Sequence, residues 1–247
     1  MILDIDHIAL SSTNFDVDLE VFKKLGYNMR FEEKNIQNLG IKKKLMKNHS
    51  TFHDLCLITS KKNLNIELLN HYTNNLEQGF ITPIFENLNE SLYEKSGDPT
   101  SSEIDIVGNL KAIGIPVGIK HNKSGEFTFN KLIIHTNDME ESKKFWKELG
   151  FQNTKNESHF AFNSILSDKK YELYLCPTKS QHTFHLDDKG WNCVALVTNS
   201  ISNEKRRLAA KFETTEIESI MINNIQLQIF FARSPGGEII ELISINR

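Results

Sequence analysis

Ile5-Asp6-His7-Ile8-Ala9-Leu10 is followed, after a polar break, by a helix start at Asn14 and by Phe15, Leu19, Phe22 and Leu25, with Gly26-Tyr27 behind them. The six residues read as a short buried strand. The apolar spacing predicts a helix that Gly26 stops, because glycine takes the left-handed backbone that closes a helix. The same phrase returns 124 residues later: Lys131-Leu132-Ile133-Ile134 reads as a strand, Asn137 as the cap of a helix bearing Met139, Ser142, Phe145, Trp146 and Leu149, and Gly150-Phe151 as its end. Leu25-Gly26-Tyr27 and Leu149-Gly150-Phe151 keep the same offset as His7 and Lys131. Twice that offset is nearly the whole chain of 247 residues, so the polypeptide reads as a tandem duplication.

Each copy runs on into segments of strand character, at 28–33, 51–59 and 64–69 in the first and at 160–166 and 171–175 in the second. The repeating unit is therefore one strand, one helix and about three strands. Two weaker units fill the gaps. One has a strand near 80–86, a helix over 102–113 and a strand at 116–120, and reads as truncated. The other opens with a strand at 192–198, continues with a helix carrying Ile201, Lys205, Leu208 and Phe212, and ends in strands at 216–221, 225–232 and 238–245. The expected class is α+β, built from tandem βαβββ units in two domains, 1–124 and 125–247. The polar stretch 87–102 and the lysine-rich stretch 36–50 read as surface loops.

Composition narrows the function classes. With 39% hydrophobic and 25% charged residues, a disordered chain, a collagen or a coiled-coil rod is excluded. A chain of this length buries enough surface to fold without disulfide or metal staples, so a metal would be there for chemistry. The net charge is −3 and is spread evenly. Lys42-Lys43-Lys44 and Arg206-Arg207 read as solvated faces, and no nucleic-acid partner is expected. Three cysteines, Cys56, Cys176 and Cys193, sit unpaired in apolar runs, which suggests a reducing compartment. Met1-Ile2-Leu3-Asp4 opens no secretory pattern and no run approaches a membrane span, so a cytoplasmic protein without a membrane partner is expected. Gly236-Gly237 precedes a strand rather than a helix and is not a phosphate-cradling loop, and Gly-x-Ser-x-Gly, His-Glu-x-x-His and Cys-x-x-Cys are absent.

Four stretches carry a family likeness. They are Asp6-His7-Ile8-Ala9-Leu10 with its helix, Ile66-Glu67-Leu68-Leu69, Asp138-Met139-Glu140-Glu141-Ser142 with Leu149-Gly150-Phe151, and Ser234-Pro235-Gly236-Gly237-Glu238-Ile239-Ile240-Glu241-Leu242. Together they resemble the vicinal oxygen chelate superfamily, which includes glyoxalase I, methylmalonyl-CoA epimerase, antibiotic-resistance proteins and extradiol dioxygenases. The resemblance implies that pairs of units curl their mixed sheets into half-barrel cups with helices outside, and that ligands come from first and last strands. Four units would make two cups.

By strand alternation His7 shares a face with Ala9 and Ser11, and Glu67 with Asn65, Leu69 and His71. His7 and Glu67 thus match the family's ligand positions, and an imidazole with a carboxylate suits Zn, Ni, Mn or Fe(II). The second unit offers no ligand in its opening strand, where Pro83 would also disrupt a central strand. His53 or His71 is the substitute. For the second cup the resemblance puts Lys131, Cys193, Glu241 and Glu172 at ligand positions. A protonated lysine does not ligate a metal, so Lys131 is either a structural ion pair in a vestigial cup or an ammonium for an anionic substrate, with His135 moving a proton. Cys193 reads as packing rather than as a nucleophile.

The functional expectation is metal-assisted isomerase, lyase or epimerase chemistry on a small oxygen-rich molecule, with a carboxylate such as Glu67 moving a proton. The alternative is a metal-free small-molecule binding or resistance protein that uses Lys131 and Glu241, and a scaffold with filled cups is the third. Four units in one chain are compatible with a monomer or a homodimer.

Overall fold

The computed structural model describes residues 1–73, 77–97, 104–123, 125–154, 156–178 and 182–245. The first unit comprises β1 (Ile2–Ser11), α1 (Phe15–Lys24), β2 (Asn28–Gln37), a 3-10 turn (Gly40–Lys44), β3 (Phe52–Thr59) and β4 (Asn65–Asn70). The second comprises β5 (Ile81–Glu86), a 3-10 turn (Glu90–Leu92), β6 (Tyr93–Gly97), β7 (Ile106–Leu110) and β8 (Ile115–Lys120). The third has β9 (Thr128–Thr136), α2 (Met139–Glu148), β10 (Gln152–Asn153), β11 (His159–Asn163) and β12 (Lys170–Pro177). The fourth has β13 (Gly190–Thr198), α3 (Ile201–Ala209), β14 (Glu213–Thr214), β15 (Glu218–Ile222), β16 (Ile225–Arg233) and β17 (Ile239–Ile245). The α+β class and the repeated unit hold. No helix among the described residues is long and apolar enough to cross a membrane.

Local chemistry explains the helices. The Asn14 side chain accepts the Val17 amide at the start of α1, and Asp138 accepts the Glu140 and Glu141 amides at the start of α2. The cap of α2 is therefore Asp138 and not Asn137, whose side-chain amide donates to the His182 carbonyl. The helix expected over 102–113 is absent from its described part, which forms β7 and a turn; residues 102 and 103 lie outside the described residues. Gly108 is one reason. A Cβ there would lie 2.8 Å from the Glu94 carbonyl oxygen, so the close pairing of β6 with β7 needs glycine. A single 3-10 turn stands where the other units carry a helix.

Strand pairing differs from the order of the units. β1 runs antiparallel to β13, with Ile8 opposite Val194, and parallel to β4. β13 in turn runs parallel to β17. One cup is thus β2-β3-β4-β1-β13-β17-β16-β15, from the first and fourth units. β5 pairs antiparallel with β9 and parallel with β8, and β9 pairs with β12, so the second and third units form the other cup. Pro83 does lie in the central strand β5, opposite Leu132. Trp191 opposite Ile81 joins the two cups, over a cluster of Phe22, Phe85, Phe129 and Trp191.

The described parts of the two stretches read as surface loops are not plain loops. In the first, β6 occupies 93–97, and residues 98–102 lie outside the described residues. In the lysine-rich stretch Lys42, Leu45 and Met46 are buried. The Leu186 amide donates to the Leu45 carbonyl, and the Lys47 and Asn48 amides donate to the Asp187 carboxylate at 2.7 and 2.9 Å. This segment is folded against the first cup, which removes Lys42 from the solvated face expected of it.

Candidate metal centre in the first cup

Two alanines make room for a polar cluster on the floor of the first cup. His7 lies opposite Ala195, Glu67 beside Ala9, and Glu241 beside Ala195. Because Ala9 in turn lies opposite Cys193, a local two-fold relation exchanges His7 with Cys193 and Glu67 with Glu241. One donor atom each from His7, Glu67 and Glu241 falls within 4.8 Å of the others. His7 Nε2 is 3.3 Å from Glu67 Oε2 and 3.9 Å from Glu241 Oε2. Neither approach has hydrogen-bond geometry, and the buried nitrogen has no hydrogen-bond partner. The other ring nitrogen, Nδ1, is 2.8 Å from Asp6 Oδ2. That contact exists because the pairing of β1 with β13 skips Asp6, a bulge that brings its side chain to the His7 side.

Burial and mutual charge set the protonation of these groups. Burial alone would lower the His7 pKa, but the Glu67 and Asp6 carboxylates together hold it well above the ordinary imidazole value. Burial works against an ionised Glu67, yet His7 holds its pKa below the usual carboxylate value. Glu241 is pushed up to about 7 by burial and then by the Glu67 charge beside it. Three carboxylates thus converge on one imidazole, and a divalent ion in place of the proton on His7 Nε2 would balance their charge. Imidazole plus two carboxylates is a donor set for Zn, Mn, Fe(II) or Ni, and a ligating histidine whose second nitrogen is held by a carboxylate is a recurrent arrangement. The residues fit such an ion.

Above the cluster opens a cavity of about 120 Å³, walled by apolar side chains including Phe31, Leu57, Val197, Leu227 and Ile243, with Arg30 also lining it. Among solved structures the chain resembles glyoxalase I from Zea mays, with a TM-score of 0.61 and 13% identity over 97% of this chain and 92% of that one. It also resembles a candidate dioxygenase from Bacillus subtilis subsp. subtilis strain 168, with a TM-score of 0.66 and 10% identity over 100% of this chain and 86% of that one. The chain has the vicinal oxygen chelate fold. No family model and no curated protein matches its sequence.

Within this vicinal oxygen chelate fold the first-strand and last-strand positions of the first cup carry His7, Glu67, Cys193 and Glu241. The expected association of Cys193 and Glu241 with Lys131 and Glu172 is therefore corrected: they belong to the other cup. The cross-pairing of units one and four is the reason. The Cys193 thiol is buried, and burial followed by the Glu241 and Glu67 charges pushes its pKa well up, so it is a packed thiol. All three cysteines are unpaired, Cys56 and Cys193 buried and Cys176 half-buried. His53 lies outside the three-residue cluster. It faces His71, ring centroids 5.9 Å apart, on the rows of β3 and β4 that continue Leu57–Glu67 and Leu55–Leu69.

The second cup is built differently. Lys131 Nζ lies 2.7 Å from Glu86 Oε1 and 3.9 Å from Glu172 Oε2. Glu172 is also held by the Tyr174 hydroxyl at 2.7 Å and by Lys170 at 3.2 Å. Ile84, Ile104, Ile133 and Tyr174 pack together as a separate apolar cluster there. A Cβ at Gly118 would sit 2.6 Å from the Ile104 side chain, which shows how closely the filling fits. His135 shares no contact with Lys131; its Nε2 meets Thr82 Oγ1 at 2.9 Å. A joint Lys131–Glu241 pocket, the basis of the metal-free alternative, is thereby overturned. Asp6 and Glu86 are the residues sequence reasoning missed. Glu86 closes a strand whose parity pointed to no ligand, while the adjacency of Asp6 and His7 is a signal only if a bulge is assumed.

Proposed function

We propose that the protein binds a divalent metal ion through His7 Nε2, Glu67 and Glu241 and acts as a metal-assisted isomerase, lyase or epimerase on a small oxygen-rich molecule. One observation carries this reading: a buried imidazole nitrogen without a hydrogen bond stands 3.3 and 3.9 Å from two carboxylates. Such an ion, when bound, acts as a Lewis acid toward a carbonyl or enolate oxygen. Asp6 fixes the His7 tautomer by accepting from Nδ1, which leaves Nε2 free to ligate. Glu67, kept ionised by His7, contributes negative charge. Glu241, at 3.9 Å the carboxylate farther from His7 Nε2, is the one suited to take a proton from the substrate and return it. The apolar wall excludes water around the reacting oxygens.

The test is elemental analysis of protein purified without chelator. Wild type is expected to carry one divalent ion per chain, and His7→Ala, Glu67→Gln and Glu241→Gln are each expected to lower it at least about tenfold while a cooperative melting transition survives. Glu172→Gln in the second cup is expected to keep it. Metal retained in all three first-cup variants, or absent from the wild type after reconstitution, refutes the assignment.

A further inference from the structure

Among the described residues that line the cavity above the metal cluster, Arg30 is the one cation besides His7. A bulge puts it there. β2 pairs with β3 through Met29–Ile58 and then Phe31–Leu57, so Arg30 is the extra residue on β2. In a regular strand Arg30 and Phe31 would face opposite sides, but here both line the cavity. β1 uses the same device at Asp6. Two bulges therefore aim side chains of opposite charge into one cavity, an acid beside His7 and a base on the facing strand β2.

Among the described residues no hydrogen bond or ion pair reaches the Arg30 side chain. The acids next to it on β2 and in the cavity are engaged elsewhere. Glu32 pairs with Lys34 at 3.2 Å, Glu33 accepts the Asn223 amide at the tip of the β15–β16 hairpin, and Asp6 is held by His7. Burial opposes ionisation of Asp6 and His7 favours it, while Arg30 adds the smallest effect. Arg30 is exposed, and an exposed guanidinium is hydrated at little cost, so its freedom alone points to no ligand. Its position does, because the bulge turns a planar fork of N–H donors toward a cavity whose other walls are apolar, Ile222 and Ile225 among them. Such a fork matches the two oxygens of a carboxylate. One guanidinium compensates one negative charge, and a phosphate dianion would bring a second into a cup that already holds Asp6, Glu67 and Glu241. The cavity, about 120 Å³, is smaller than the roughly 300 Å³ at which pockets for drug-sized ligands begin, so the ligand is small.

We propose that Arg30 binds the carboxylate of a small acid whose other oxygens face His7, Glu67 and Glu241, which makes Arg30 the residue that selects the substrate. This deepens the metal reading of the first cup and, as a statement about substrate class, rests on it.

The test compares three hydroxamates that share one chelating head and differ in a single substituent. They are acetohydroxamate, malonomonohydroxamate with a carboxylate, and phosphonoacetohydroxamate with a phosphonate. Calorimetric titration measures their binding to full-length protein, loaded with Zn2+ and, separately, after chelator treatment. Loaded wild type is expected to bind malonomonohydroxamate at least about tenfold more tightly than acetohydroxamate, the worth of a charge-assisted pair, and to give the phosphonate no larger gain. Arg30→Gln is expected to bring the two affinities together while zinc binding, acetohydroxamate binding and the melting temperature stay as in wild type. Arg30→Lys should restore part of the preference, and Lys34→Gln, on the same strand, should keep all of it. Equal affinities in wild type overturn the proposal, and so does a preference that survives Arg30→Gln. A larger, Arg30-dependent gain for the phosphonate overturns the carboxylate assignment. If wild type binds no zinc, the metal reading fails by itself. An Arg30-dependent preference of that metal-free protein for malonomonohydroxamate over acetohydroxamate then upholds the arginine as the partner of an acid, and its absence overturns both.

Discussion

Asp6 and His7 are neighbours in the chain and yet face the same side of β1, with Asp6 Oδ2 2.8 Å from His7 Nδ1. In a regular strand they would point to opposite faces. The bulge that skips Asp6 in the pairing with β13 makes the contact, and with it decides which His7 nitrogen is available at the cluster. Asp6→Ala is expected to weaken metal affinity about 10- to 100-fold, the usual cost of losing a partner that orients a ligand. Asp6→Asn, which keeps an acceptor oxygen, should lose less. Competition against a chromophoric chelator reads both, and equal affinities for Asp6→Ala and wild type would deny Asp6 a positioning role.

Lys131 has the opposite standing. Its ammonium compensates Glu86, which also accepts from Thr128 Oγ1 at 2.5 Å and from Asn122 at 3.0 Å. Removing the charge leaves a largely buried carboxylate without its cation, so Lys131→Met is expected to cost about 1–3 kcal/mol in a urea melt. The double variant Lys131→Met/Glu86→Gln should recover most of that loss, and metal content should stay at the wild-type level in both. Loss of metal from Lys131→Met would return this lysine to the functional site.

The repeat was legible because it is written in local terms. Leu19 and Phe22, like Ser142, Phe145 and Leu149, keep helical spacing on one buried face, and Gly26 and Gly150 close both helices with positive φ. The parity of His7 and Glu67 was legible for the same reason. Which units share a cup was not, because periodicity fixes the faces of a strand but says nothing about which opening strand lies against it. That choice moved Glu241 and Cys193 from the neighbourhood of Lys131 to that of His7. Lys42 escaped because a run of three lysines reads as solvated, and only the Leu45 and Asp187 contacts of its segment reveal that one of them is turned inward.

The joint between the cups depends on Gly79. A Cβ there would meet the Trp191 carbonyl oxygen at 2.1 Å and its carbon at 2.7 Å, both backbone atoms that have no rotamer by which to withdraw. The Gly79 amide also donates to the Lys189 carbonyl at 2.9 Å. Gly79→Ala is expected to destabilise the fold by about 3 kcal/mol, at the upper end of ordinary overpacking. Chemical denaturation of the variant measures it. A stability within error of wild type would show that the contact of β5 with β13 is loose.

Asp18 allows a pH prediction far from the metal cluster. It sits on α1 with its side chain buried and Oδ2 without a partner. Burial raises its pKa from 3.8 to about 6, against a smaller opposing effect of the Ser12 hydroxyl. The folded state therefore holds a proton that the unfolded chain has already lost at intermediate pH. A carboxyl raised in this way leaves stability intact below its unfolded pKa and withdraws it as pH climbs through the folded value. The total penalty is about 3 kcal/mol once both states are ionised. Asp18→Asn keeps the shape and removes the titration. Its stability relative to wild type should accordingly rise as pH increases from about 4 to about 7, then level off. Urea melts of the two proteins across that interval check the sign. A difference that stays flat, or that favours wild type more as pH rises, would mean that Asp18 is ionised at little cost in the folded protein.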